Sequence, residues 1–228
     1  MRQHVVLFDL DGTVLTFVGG PPGPGRAALD RAMHERYGFE GASAGMRVAG
    51  GTDRALTRAM LARAGASGDD AQVDEILALY LGHLAVVLRT RRYRPIGDVV
   101  RTVEALRARG TVVGLATGNV RDAARLKLAS AGLEGVFDFS RGAFGCDAEP
   151  RHEIVRLAAD RCAADRDGRV VVVVGDTERD VLAGRAIGAR VVGVAADDAS
   201  RAELRDAGAD AIVDECGEDL VRAVFAFG

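Results

Sequence analysis

The chain carries a set of short, valine-rich apolar runs separated by stretches with helical spacing. The runs are Val5–Phe8, Thr111–Ala116, Val136–Phe139, Val170–Val174, Arg190–Val194 and Ala211–Val213. They are short and continuous in apolar character, the pattern of strands covered on both faces. Between them the spacing predicts helices over Asp98–Arg109, Arg121–Ala131, Arg151–Ala164, Arg179–Ile187, Ala202–Ala207 and Glu218–Ala226. Gly110, Gly132, Gly188 and Gly208 follow four of these, as expected at left-handed helix stops. Strand–helix alternation of this kind implies an α/β fold, a parallel sheet with helices on both faces.

The alternation breaks between residues 17 and 94. The first strand is followed by Gly19-Gly20-Pro21-Pro22-Gly23-Pro24-Gly25, which reads as a linker or hinge. Three helices then follow with no strand between them: Arg26–Tyr37, Asp53–Ala64 and roughly Asp70–Leu88. The sheet pattern resumes after Tyr93-Arg94-Pro95. The expected organisation is therefore a core of residues 1–16 and 95–228 carrying an all-α insert over 17–94. The length, 228 residues, suits one such domain with an insert. An insert placed just after the first strand lies over the carboxyl edge of the sheet, where open α/β folds bind ligands. A lid there would exclude water and select substrate.

The strand ends carry the chemistry. The first run stops at Asp9-Leu10-Asp11-Gly12-Thr13. Residues two apart on extended chain point the same way, so Asp9 and Asp11 face one spot. Two carboxylates that close require a shared proton or a cation, and a hard ion such as Mg²⁺ suits them. Taken alone, the motif is as compatible with a solvated Asp-Gly turn. The run Val170–Val174 also stops at acids, in Gly175-Asp176-Thr177-Glu178-Arg179-Asp180. Asp176 is a candidate third carboxylate. Asp180, at the start of the next helix, suits the helix dipole, the metal's surroundings, or both. Thr111–Ala116 leads into Thr117-Gly118-Asn119, either a plain helix cap or an anion cradle of hydroxyl and backbone N–H groups. Three polar strand ends at one edge favour a composite site, with metal-binding acids on one side and phosphate-holding donors on the other.

Asp9-Leu10-Asp11-Gly12-Thr13, then Thr117-Gly118-Asn119, then Gly175-Asp176-Thr177-x-x-Asp180 resemble, in order and spacing, the motifs of the haloacid dehalogenase superfamily. The likeness spans nearly the whole chain and is nearest to the phosphoglycolate-phosphatase-like hydrolases. It implies a Rossmann-like core, with the insert as a helical cap. It also implies an Mg²⁺-dependent phosphatase acting on a small phosphorylated metabolite through an aspartyl phosphate. Asp9 would be the nucleophile and Asp11 the general acid and base. Mg²⁺ would be held by the Asp9 carboxylate, the Asp11 backbone carbonyl and Asp176, with Asp180 in support. Thr117 would hydrogen-bond the phosphoryl oxygens beside Gly118 and Asn119. A phosphomutase of the same superfamily would share every core residue. A dehalogenase generally lacks the second aspartate, present here as Asp11. A phospho-receiver module would carry adjacent acids and run to roughly half this length.

The chain departs from the family in one respect. A lysine usually precedes the last motif, whereas here the segment reads Gly145-Cys146-Asp147-Ala148-Glu149-Pro150-Arg151-His152-Glu153. Arg151 is the candidate replacement, keeping the charge with a different reach. The chain's one lysine, Lys127, is the rival, expected rather to be solvated on a helix face. In the insert, Gly50-Gly51-Thr52-Asp53-Arg54 reads as a loop with Thr52 as a helix cap; Arg47 and Arg54 are candidates to meet a second acidic group on the substrate. The run Arg89–Arg94 and the histidines (His4, His34, His83, His152) are expected at the surface.

Composition removes other classes. The net charge of −3 gives no case for nucleic acid or an anionic membrane as partner. No apolar run approaches the ~20 residues of a membrane span, and Asp9 comes too early for a signal-peptide apolar region. Three unpatterned cysteines, Cys146, Cys162 and Cys216, read as reduced thiols in a cytoplasmic protein.

Overall fold

The computed structural model describes residues 3–162 and 168–227. In chain order the elements are β1 (His4–Phe8), β2 (Leu15–Phe17), α1 (Pro24–Tyr37), α2 (Asp53–Arg63), α3 (Asp70–Val87), β3 (Tyr93–Pro95), α4 (Val99–Ala108), β4 (Val112–Leu115), α5 (Arg121–Ser130), α6 (Arg151–Cys162), β5 (Val170–Gly175), α7 (Glu178–Ala186), β6 (Arg190–Val194), α8 (Asp198–Asp206), β7 (Ala211–Val213) and α9 (Glu218–Phe225). Five strands form one parallel sheet in the order β4-β1-β5-β6-β7. The fold is a Rossmann-like α/β sheet with helices on both faces.

The two-residue period of a strand explains the layering. Val5 and Leu7 of β1 join Ile154, Val155 and Ala158 of α6 and Val181 of α7 in one apolar layer. Val6 and Phe8 join Val103 and Leu106 of α4, Leu128 of α5 and Val224 of α9 in the other. That second layer continues into α1–α3, which contribute Leu29, Met33, Met60, Leu61, Ile76 and Leu84. The helical segment and the sheet therefore share an apolar core.

The structure departs from the sequence pattern in several places. Val136–Phe139 is not a strand. Asp138 turns the chain by accepting a hydrogen bond from the Ser140 N–H (2.9 Å), and a 3₁₀ turn runs from Phe139 to Arg141. A bridge from Ala143 to Ala116 lies at that side of the sheet. The helix expected from Ala202 begins at Asp198, because the Asp197 carboxylate caps the Ser200 N–H (2.8 Å). The helix expected over Arg151–Ala164 is seen to Cys162; its last two residues lie outside the described ones. An antiparallel ribbon, Leu15–Phe17 on Tyr93–Pro95, was not anticipated, its strands being too short for a periodic signal. His4 lies buried in β1 with its ring against Phe225 rather than at the surface.

Register determines what meets at the carboxyl edge. Phe8 pairs with Leu115 on one side and Val174 on the other. The Asp9 N–H donates to the Val174 carbonyl (2.9 Å) and the Ala116 N–H to the Phe8 carbonyl (2.8 Å). Asp9 and Asp176 directly follow β1 and β5, and Thr117 lies two residues past β4, so the three side chains emerge at one edge.

Candidate active site

Asp9, Asp176 and Asp180 each present a carboxylate oxygen within 4.8 Å of the other two. Asp9 and Asp180 are buried. Gly12 makes the close approach of Asp176 possible. Its φ is +87°, a left-handed conformation, and a Cβ there would lie 2.0 Å from Asp176 Oδ2. The Thr13 hydroxyl donates to Asp176 Oδ1 (3.3 Å). Asp180 Oδ2 accepts from the Thr177 hydroxyl (2.6 Å) and backbone N–H (3.1 Å), which caps α7.

Arg151, in the first turn of α6, enters this cluster. Its Nη2 lies 2.7 Å from Asp9 Oδ1 and 2.5 Å from Asp180 Oδ1. Burial pushes the Asp9 carboxyl up to about 6, with Arg151 opposing and Asp180 and Asp11 adding to the rise. Burial, then Asp180 and Asp9, hold Asp176 well above the usual carboxylate range. Three acids against one guanidinium leave the cluster electron-rich and short of positive charge. Oxygen donors of this type and spacing fit a divalent hard cation such as Mg²⁺.

Asp11 is held differently. Its Oδ2 accepts from Lys127 Nζ (2.6 Å) and from Asn119 Nδ2 (2.8 Å). Lys127 is buried, contrary to the expectation of a solvated helix face. Its position on α5 turns it under the loop after β4, where it also donates to Asn119 Oδ1 (2.5 Å) and lies over the Tyr93 ring. Burial works against its charge, but Asp11, Tyr93, Tyr80 and Asp53 more than compensate, and its pKa is raised. Asn119 Nδ2 also donates to Thr117 Oγ1 (2.9 Å), linking the buried threonine to the same network.

The helical segment closes onto the edge through Asp53, whose role across the interface was not foreseen. Its N–H donates to the Gly118 carbonyl (2.8 Å), and its Oδ2 accepts from the Val120 N–H (2.8 Å). Gly118 is needed here because a Cβ would lie 2.2 Å from the Gly51 carbonyl. Thr52 caps α2 as expected, accepting from the Ala55 N–H (3.2 Å). Thr-Asp at a helix start reads as a self-contained cap, so nothing in the sequence marks the partner across the gap. A cavity of about 410 Å³ lies between this segment and the strand ends, reaching Asp9, Asp11, Thr117, Lys127, Arg151 and Asp176. Arg47 and Arg54 do not line it. Arg47 pairs with Glu203 at the surface, and Arg54 is held by Asp70, Asp74 and Glu149.

A parallel α/β sheet with acids from separate strands beneath a cavity is a setting for hard-cation and phosphate chemistry at the strand ends. Residues 4–188 match the family model of haloacid dehalogenase-like hydrolases, and the chain belongs to that family. It is 34% identical over 98 residues to the pyrophosphatase PpaX of Bacillus pumilus, a match covering 42% of this chain and 44% of that protein. Among solved structures it resembles a hydrolase from Pseudomonas syringae (TM-score 0.71, 20% identity, all of both chains). It also resembles a protein from Haemophilus somnus described as a predicted phosphoglycolate phosphatase (TM-score 0.66, 16% identity, 97% of this chain and 98% of that one). Among the described residues no helix is long and apolar enough to cross a membrane.

Proposed function

We propose that this hydrolase cleaves a small phosphomonoester through a phosphorylated Asp9, with residues 17–94 acting as the cap over the site. The observation that carries the reading is the pairing of a buried acid, Asp9, clamped by Arg151, with a second acid two residues on that faces the cavity. Arg151 engages Asp9 Oδ1, which leaves Oδ2 for attack. The Asp9–phosphorus bond forms as the bond to the alcohol oxygen breaks, and Asp11 gives that oxygen a proton. The now ionised Asp11 takes a proton from water, whose oxygen attacks phosphorus and releases Asp9 and inorganic phosphate. Lys127, 2.6 Å from Asp11 Oδ2, holds the Asp11 side chain in place between the two halves. The Thr117 hydroxyl and Arg151 offer hydrogen bonds and charge to the transferring oxygens, where charge is spread in the transition state.

Asp9, Asp176 and Asp180, with the Asp11 backbone carbonyl, are the residues we assign to Mg²⁺. The bound ion would lower the repulsion between a carboxylate nucleophile and an anionic phosphate. Phosphate release measured across a panel of phosphomonoesters, with Mg²⁺ and after chelation, tests the assignment. Release should require the metal and vanish in Asp9→Asn. Undiminished release by Asp9→Asn would overturn the reading.

A further inference from the structure

The cations within the cavity wall are not equivalent. Lys127 is paired with Asp11, and Arg151 with Asp9 and Asp180. Arg26, near the start of α1, also lines the cavity, yet among the described residues no carboxylate lies within 4.0 Å of it. Its guanidinium is nevertheless fixed. Nε donates to Ser43 Oγ (2.6 Å) and Nη2 to the Ser43 carbonyl. Ser43 is anchored in turn by Asp30, which accepts from its N–H and its hydroxyl (both 2.8 Å). One edge of the guanidinium is thus used for orientation, and the end formed by Nη1 and the second Nη2 hydrogen is left over. That end has the fork geometry that takes a carboxylate through two parallel hydrogen bonds. Asp30, reached through Ser43, tempers the local charge, which suits a monoanion better than a second phosphate.

Most of the cavity wall is apolar, with Thr16, Thr52 and Asp53 among its polar members. Phe17, Leu29, Leu56, Tyr80 and Tyr93 contribute to it. The volume of about 410 Å³ falls within the ~300–1,000 Å³ range of sites that enclose drug-sized ligands. Glycolate or a second inorganic phosphate would leave most of that wall without a partner.

We infer that the alcohol released by this enzyme has a bulky, mainly apolar body and carries a carboxylate that meets Arg26, making Arg26 a specificity-determining residue. The inference rests on the phosphomonoesterase reading for the other end of the same substrate. It separates this chain from enzymes built for phosphoglycolate or pyrophosphate, whose substrates lack such a body.

The test compares phenyl phosphate, meta- and para-carboxyphenyl phosphate, phosphoglycolate and pyrophosphate by kcat/KM, on the wild type and on Arg26→Gln. The better carboxyphenyl ester should exceed phenyl phosphate by about tenfold or more in the wild type, and exceed phosphoglycolate and pyrophosphate as well. In Arg26→Gln the ratio of carboxyphenyl to phenyl ester should fall toward one, and Arg26→Lys should recover part of it. An unchanged ratio in Arg26→Gln would overturn the inference, as would phosphoglycolate or pyrophosphate being the best substrate. Calorimetric binding of phenylphosphonate and the carboxyphenylphosphonates to both proteins keeps the two hypotheses apart. If no ester is hydrolysed, the proposed reaction fails, while the presence or loss of an Arg26-dependent preference among the phosphonates still decides the inference.

Discussion

Asp9 and Asp11 stand two residues apart at the end of one strand, and each meets a single cation, yet they occupy opposite electrostatic situations. Asp9 is enclosed, with its side chain 8% exposed, and shares Arg151 with Asp180. Asp11 is open to the cavity, its side chain 42% exposed, and is the carboxylate in direct contact with Lys127. In the first case burial dominates, and an acid cluster with too little positive charge is left asking for a metal. In the second, water reaches the carboxylate and a buried lysine is the desolvated partner. The enclosed pair suits holding a nucleophile and a transferring group in place. The open pair suits an acid that must exchange protons with an alcohol and with water.

That contrast can be broken by removing each member in turn. Asp9→Asn takes away the proposed site of phosphorylation, and turnover should drop by about 10⁴-fold or more. Phosphate release and covalent labelling from a radioactive ester would both report it. Arg151→Ala should come next, at about 10³-fold in kcat, since a buried donor aimed at developing charge is commonly worth ~10²–10³. It also leaves Asp9 and Asp180 unpaired. In chelator the variant should lose about 3 kcal/mol of stability by urea unfolding, and Mg²⁺ should recover more of that loss than it adds to the wild type. Lys127→Met should cost only about 10–100-fold, because Asp11 can be solvated. If Lys127→Met proved the more damaging of the two, the assignment of the enclosed pair to the transferring phosphoryl group would be wrong.

How much of this was legible beforehand follows the same divide. Asp9, Thr117 and Asp176 were readable because each ends an apolar run, and parallel strands in register bring such ends together. Arg151 is legible as a candidate because it lies in the segment before the last motif, where the family usually supplies a lysine, at the first turn of the next helix. Lys127 reads as solvated because its helix carries polar neighbours in Arg121, Asp122 and Arg125; only the packing of α5 beneath the loop after β4 turns it inward. The short ribbon β2–β3 and the Asp53 clasp were invisible for a related reason. Each depends on a contact between residues 67 to 80 positions apart, with no local periodicity to announce it.

The clasp offers a smaller way to separate the two regions. Gly118→Ala places a methyl group against the Gly51 carbonyl without touching any acid. The loop around Gly51 must shift, and kcat/KM should fall by about tenfold through misplacement of the cavity wall. Unfolding of the sheet should be little affected. A larger loss of stability than of kcat/KM would mean that residues 50–53 support the fold more than they shape the site.

The smallest expected effect concerns Asp53 itself. Burial raises its pKa from about 3.8 to about 6, with Lys127 and the Val120 N–H opposing. A carboxyl that holds its proton more tightly in the folded than in the unfolded chain costs stability as pH rises between those values. Asp53→Asn mimics the protonated form and keeps an oxygen for the Val120 N–H. The variant and the wild type should therefore be equally stable near pH 4. The variant should gain on the wild type as pH rises toward about 6 and keep a constant lead above it. Urea midpoints taken from pH 4 to 8 measure this directly. Asp9 and Asp176, whose pKa values are also raised, give both proteins the same slope and cancel in the difference. A variant less stable than the wild type at pH 8 would show that the ionised carboxylate, through Lys127 and the Val120 N–H, stabilises the clasp more than burial opposes it.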